Sequence, residues 1–318
     1  MSTKSSRAAD RAHIAEIDAK ILVLRHSIQL LEAEKMCTQE RLNEYMYPVL
    51  TLPNETVAEI FIHFLPAYPS PPPMTGPLSP TVLTHICHTW REIAFTTPAL
   101  WRGISYPDRS ESRSVTSDQG GLLQILQSWL SRSGCLPLSF CMAPVAAMLS
   151  DESLAALNAH HTRWEHITFV VEADADALRA QGATPLLKQL EIEPCSDKSL
   201  YFGEAPQLRS ATVWRFSTVL PWSQLTSLTL ICRPFDCSAI LRHAVNLIHC
   251  HLALLGDSEV LEDDVELSSL ESLILTQEGV DDAPTQYLGT LITPALRTLE
   301  VPEAFLEPYP IATLQALS

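Results

Sequence analysis

The chain has 318 residues, 46% of them hydrophobic, a mean hydropathy of +0.09 and a formal net charge of −16. No apolar run reaches the roughly 18 residues a membrane helix needs, and the polar opening MSTKSSRAAD lacks the apolar stretch of a secretory signal. A cytoplasmic and/or nuclear protein is expected, with no membrane partner and, because an acidic surface repels phosphate backbones, no nucleic-acid partner.

Residues 10–46 read as one long helix. Ile14, Ile17, Ile21, Leu24, Ile28 and Leu31 recur in alternating steps of three and four, the a/d seam of a heptad pattern. The seam weakens at Lys35 and Thr38 and resumes at Leu42 and Tyr45, with no Gly or Pro before Pro48. Residues 1–45 hold seven Lys/Arg and seven Asp/Glu, so the whole acidic excess lies beyond them. Two readings are open: self-association through Ile14–Leu31 as a short coiled coil, or a helix folded back on the body.

Residues 47–100 read as a small helical module. Pro53 suits the first position of a helix, where its missing N–H costs nothing, and Glu55 suits the positive end of the helix dipole. Val57, Ile60, Phe61 and Phe64 line one helical face, and Val82, Leu83, Ile86, Trp90 and Ile93 line that of a second helix, over about residues 80–95. Between them the stretch 66–80, PAYPSPPPMTGPLSP, cannot continue a helix and reads as a proline-rich loop. The polar, aperiodic stretch 107–121 reads as a flexible loop.

The remainder is repetitive. Apolar residues at positions one, four and six recur at Trp164/Ile167/Phe169, Leu187/Leu190/Ile192, Leu208/Ala211/Val213, Leu225/Leu228/Leu230, Leu247/Cys250/Leu252, Leu270/Leu273/Leu275 and Leu296/Leu299/Val301. Their starts differ by 23, 21, 17, 22, 23 and 26 residues, averaging 22, and that average falls inside the ~20–29 range of leucine-rich repeats. Trp101/Ile104/Tyr106 and Cys135/Leu138/Phe140 match at longer spacing. Such a repeat supplies a strand and a return segment, and it buries its apolar face only by stacking on its neighbours. The class expected is α/β, with a curved parallel sheet over 101–318 and positions three and five facing outward. Those outward residues are His166 and Thr168, Gln189 and Glu191, Ser210 and Thr212, Ser227 and Thr229, His249 and His251, Ser272 and Ile274, and Thr298 and Glu300. A polar, short-chained strip of this kind suits contact with another macromolecule.

Motifs for chemistry are missing. No G-x-S-x-G, H-E-x-x-H, Walker or dinucleotide pattern occurs, and ten glycines leave few loops able to cradle phosphate. Eight cysteines without a CxxC pair read as reduced thiols. In His249-Cys250-His251 the thiol points inward and the imidazoles outward, so the three cannot converge on one ion, even with Cys232, Cys237 and His243 upstream. His85, Cys87 and His88 are accounted for by a helix's packed and solvated faces, and His160, His161 and His166 lack a convergent partner set. The carboxylates Glu259, Glu262, Asp263, Asp264 and Glu266, with Asp281-Asp282 nearby, lack the glycine and alternation of a calcium loop and read as solvated. No catalytic residue, metal or cofactor is expected, and the chain reads as a non-enzyme.

Leu52-Pro53-Asn54-Glu55, Ile60-Phe61, Ile86-Cys87-His88-Thr89-Trp90-Arg91-Glu92-Ile93 and Pro98-Ala99-Leu100-Trp101 together resemble an F-box. The chain as a whole is similar to the expanded F-box families of mushroom-forming fungi, in which a heptad helix precedes the box and degenerate leucine-rich repeats follow. The resemblance implies the substrate-recognition subunit of an SCF-type cullin–RING ubiquitin ligase. In that family the box docks an SKP-family adaptor and, through it, cullin, while the repeats capture a target protein, here unknown. Carried over, the adaptor-binding residues are Leu52, Pro53, Glu55, Ile60, Phe61, Ile86 and Trp90, and the proline-rich loop splits the box more widely than in a compact version. The target-binding face is Gln189, Glu191, Ser210, Thr212, Ser227, Thr229, His249, His251 and Ser272. Read without the family pattern, residues 47–106 are a helical cap on the repeats, and the alternative function is a leucine-rich-repeat scaffold that enters no ligase.

Overall fold

A computed structural model describes residues 4–44, 48–106, 119–142, 151–171, 182–194, 200–202, 204–214, 218–255, 264–278 and 287–306. The chain divides into two compact units, 1–56 and 57–318.

In the first unit, α1 runs from Lys4 to Glu44, beginning six residues earlier than the heptad pattern predicts. Arg7, Ala8 and Ala9 are good helix formers, so the helix extends beyond its seam. The seam is open: Ile14, Ile17, Ile21, Leu24, Ile28 and Leu31 are 41–64% exposed. A 3₁₀ turn at Pro48–Thr51 precedes Pro53.

The second unit opens inside α2 (Asn54–Phe64), which buries Val57 and Phe61, one turn apart, and leaves Ile60 and Phe64 exposed. The expected second helix is broken. A 3₁₀ segment, Pro80–His85, is capped by Ser79, whose Oγ accepts from the Thr81 N–H, and ends before α3 (His88–Phe95). Cys87 causes the break: its backbone is extended (φ −154°, ψ 171°) and its sulfur accepts from the Trp90 N–H as an N-cap. Leu83 and Ile93 are buried, while Val82 and Ile86 remain exposed.

Among the described residues, the body is a nine-stranded parallel sheet whose strands lie side by side in chain order. Its members are β1 (Gly103–Ser105), β2 (Leu138–Met142), β3 (Trp164–Val171), β4 (Gln189–Pro194), β6 (Ser210–Trp214), β8 (Ser227–Cys232), β9 (His249–Leu255), β11 (Ser272–Glu278) and β13 (Thr298–Glu300). Register follows the sequence period: Ile167, Leu190, Ala211, Leu228, Cys250, Leu273 and Leu299 are successive partners. One residue before each strand, backbone N–H groups donate to the preceding strand's equivalent: Lys188 to Glu165, Arg209 to Lys188, Thr226 to Arg209, Ile248 to Thr226, Glu271 to Ile248 and Arg297 to Glu271. The return segments hold two further parallel pairs, β5 (Leu200–Tyr201) with β7 (Thr218–Val219) and β10 (Val265–Glu266) with β12 (Leu291–Ile292). They also contain α4 (Gln119–Arg132), α5 (Asp151–Asn158) and α6 (Pro234–Leu241).

Every first-, fourth- and sixth-position residue from Trp164 to Leu275 is buried. At about 25 cal/mol per Å² of apolar surface, this repeated burial is the principal source of cohesion. Four expectations are corrected. Cys135 is exposed, not inward, because Gly134 turns at φ +57° and carries it outside the stack. Leu296, Leu299 and Val301 are only partly buried, since among the described residues β13 has a neighbour on one side alone. Residues 119–121 of the expected loop belong to α4, whose Leu126, Trp129 and Leu130 are buried; residues 107–118 lie outside the described residues. Finally, Cys232 and Cys237 form a disulfide rather than two thiols. The Arg233-Pro234 turn into α6 brings their Cα atoms to 6.2 Å, within disulfide range.

Candidate functional site

Alternation along a strand sends every second side chain to the opposite face, so the sheet's ladders gather the predicted outward residues into two rows. One row is Ser139, His166, Gln189, Ser210, Ser227, His249, Ser272 and Thr298. The other is Cys141, Thr168, Glu191, Thr212, Thr229, His251, Ile274 and Glu300. Neighbouring strands lie roughly 4.8 Å apart, so Ser210, Thr212, Ser227 and Thr229 form a hydroxyl-rich centre. Side chains on adjacent strands are tied to one another: Thr168 Oγ1 donates to Glu191 at 3.1 Å, and His251 Nε2 lies 3.0 Å from Thr276 Oγ1.

The first end of this face is occupied by the proline-rich loop, which sequence reasoning left without a place. Its backbone caps the edge strand β1: the Ser105 N–H donates to Pro72 O (2.9 Å) and the Met74 N–H donates to Ser105 O (3.1 Å). Gly103 permits that approach, since a Cβ there would lie 2.8 Å from Pro72 Cδ and 3.1 Å from Pro71 Cα. Further along, Ser139 Oγ donates to Pro69 O, and the Tyr68 hydroxyl donates to the Glu165 carboxylate. The Tyr68 ring packs edge-on to His166 (5.5 Å between centroids) and under the Arg102 guanidinium (3.6 Å). Lys188 completes the cluster, 2.5 Å from Glu165. His166, expected on the open strip, is therefore partly covered.

The electrostatics of this cluster follow from burial and contact. Burial opposes the charge of Glu165, but the hydrogen bonds from Lys188 and Tyr68, with the Lys188 charge, outweigh it and hold the carboxyl below its ordinary range. Burial, followed by the hydrogen bond and charge of Glu165, pushes the Tyr68 hydroxyl well above its usual value. Burial, with the nearby Lys188 and Arg102 charges, lowers His166 despite the opposing pull of Glu165. A cavity of about 310 Å³ adjoins the loop, lined by Ile62, Leu65, Pro66, Ala67 and Leu100 with Arg102 at its wall.

The predicted box residues are distributed over both units. In the first, Leu52, Pro53 and Glu55 are exposed. In the second, Ile60 and Ile86 are 47% and 55% exposed. Phe61 is buried and meets the half-buried Trp90 edge-on at 4.9 Å between centroids. Trp101 donates from Nε1 to Ala94 O at 2.8 Å, tying α3 to the entrance of β1. Phe61 and Trp90 thus hold the module together, whereas Ile60 and Ile86, with Phe64 and Val82, face solvent.

The histidines and cysteines are dispersed as expected for a packed strand. Cys250 is buried, and burial pushes its thiol up to about 12; His249 is exposed on the other face. Among the described residues, no three His, Cys, Asp or Glu side chains form a group that could hold a metal ion, and no helix is long and apolar enough to cross a membrane. Asp264 and Glu266 are exposed, and Glu259, Glu262, Asp263, Asp281 and Asp282 lie outside the described residues. Neither the known family models nor the curated proteins match this chain.

Proposed function

We propose that the chain is the substrate-recognition subunit of an SCF-type cullin–RING ubiquitin ligase, its F-box docking an SKP-family adaptor and its leucine-rich-repeat solenoid capturing a target protein. The repeat reading is supported by one buried-apolar strand per sequence period, paired in chain order. A large polar face with two continuous rows of side chains is what such a stack presents to a macromolecule.

The observation that carries the docking role is the apolar surface left on the box helices. Ile60, Phe64, Val82 and Ile86 are all more than a third exposed, although Val57, Phe61, Leu83 and Ile93 already supply the module's core. Apolar side chains left in water beside a complete core are what a docking adaptor would cover. Glu55 and the exposed Leu52 and Pro53 carry the rest of the family pattern.

Co-expression with an SKP-family adaptor from a mushroom-forming fungus tests this. The intact chain should retain the adaptor through purification, and Leu52→Ala/Pro53→Ala or Ile86→Glu should release it without lowering the melting temperature. No capture by the intact chain would leave the scaffold reading instead. Affinity capture with and without proteasome inhibition should then recover targets that Thr212→Arg or Thr229→Arg loses, with adaptor binding unchanged.

A further inference from the structure

The seam of α1 has six apolar side chains in water and a charge pattern that distinguishes between the ways of covering them. Placing Ile14, Ile21 and Ile28 at a, and Ile17, Leu24 and Leu31 at d, puts Arg11, Asp18, Arg25 and Glu32 at e. His13, Lys20, Ser27 and Glu34 then fall at g. Ile at a with Leu at d is compatible with a two-stranded parallel coil. The flanking charges are not: a parallel pair sets Lys20 of each copy beside the other's Arg25 and stacks Lys35 on Lys35 at an a layer.

Reversing one helix removes both conflicts. Ile14 then faces the second copy's Leu31, Ile17 its Ile28 and Ile21 its Leu24, so the seam is complementary to itself over its full length. Lys35 faces the second copy's Asp10. Reversal also brings e beside e and g beside g, which pairs Asp18 with the second copy's Arg25, Arg11 with its Glu32 and His13 with its Glu34. Lys20 meets only Ser27 of the second copy and keeps its own-helix ion pair with Glu16 at 2.8 Å. No like charges meet.

We infer that α1 is an antiparallel homodimerisation helix, joining two copies of this chain through Ile14–Leu31 with Asp18–Arg25 and Asp10–Lys35 fixing its direction. This goes beyond the receptor reading and does not depend on it. Asp18 and Arg25 have no charged neighbour three or four positions away on their own helix, so exchanging them breaks no ion pair at those spacings within the monomer.

Sedimentation equilibrium on the full chain at low salt tests the inference. The wild type should associate as a dimer, and Ile21→Asp should be monomeric. Arg25→Asp should weaken the dimer by about tenfold, as two attractive pairs become repulsive; Asp18→Arg/Arg25→Asp should restore it. In a parallel coil Arg25→Asp would instead tighten the dimer by relieving Lys20, and that result overturns the inference. So does a wild type that stays monomeric, a dimer that survives Ile21→Asp, or a double variant no tighter than the single. Helicity by circular dichroism accompanies each variant, and adaptor capture, read separately, should be unchanged in all of them.

Discussion

Tyr68 concentrates the contacts that tie the proline-rich loop to the strands. Its hydroxyl donates to a carboxylate, its ring lies between Arg102 and His166, and Pro69 beside it accepts from Ser139. A hydrogen bond to a charged group contributes about 1.5–3 kcal/mol, so Tyr68→Phe should lower stability by about 1–2 kcal/mol in urea unfolding. Gly103→Ala should cost a similar amount, about 1–3 kcal/mol, because the new methyl would collide with the Pro71–Pro72 backbone and ring. The pH dependence has a definite sign. His166 is depressed in the folded chain, so the unfolded chain binds its proton first as pH falls. Stability contributed there is complete above about 6.5 and declines below it, down to the folded value. Glu165, also depressed, adds a second loss below about 4.3. A melting temperature that falls from pH 7 to pH 5 in the wild type, and falls less in His166→Asn, checks the first window.

For the elements, the strands and the junction between the 3₁₀ segment and α3 show what holds each together. In each inner strand the fourth and sixth positions are buried between neighbours on both sides, so a truncation leaves a cavity that the stack cannot fill. Leu228→Ala or Leu273→Ala should cost about 2–5 kcal/mol, while Leu299→Ala at the half-buried last strand should cost distinctly less; chemical denaturation orders the three. Thiol reactivity checks the same register. Cys37 and Cys135 should react with a maleimide in the native chain, and Cys250 only after unfolding, because it is buried and its thiolate is disfavoured. The strand positions were legible because a period-two alternation repeated seven times is written in local sequence. The break at Cys87 was not: Val82 to Ile93 has an uninterrupted helical spacing, and only a cysteine sulfur capping the Trp90 N–H ends one turn and starts another.

For the molecule as a whole, sequence alone determined that α1 would be a long helix with a heptad seam, and that the repeats would form parallel neighbours with polar residues in rows. It could do so because burial periodicity is a property of each segment, and stacking adds only nearest-neighbour terms. The tertiary structure alone decided where the proline-rich loop goes, which end of the polar face it covers, and that Cys135 stays outside while Cys232 meets Cys237. The loop contacts join residues 70 and 97 positions apart, and no spacing rule links Tyr68 to Glu165. Such contacts depend on which backbone arrives beside which strand edge, a choice made by the assembled fold.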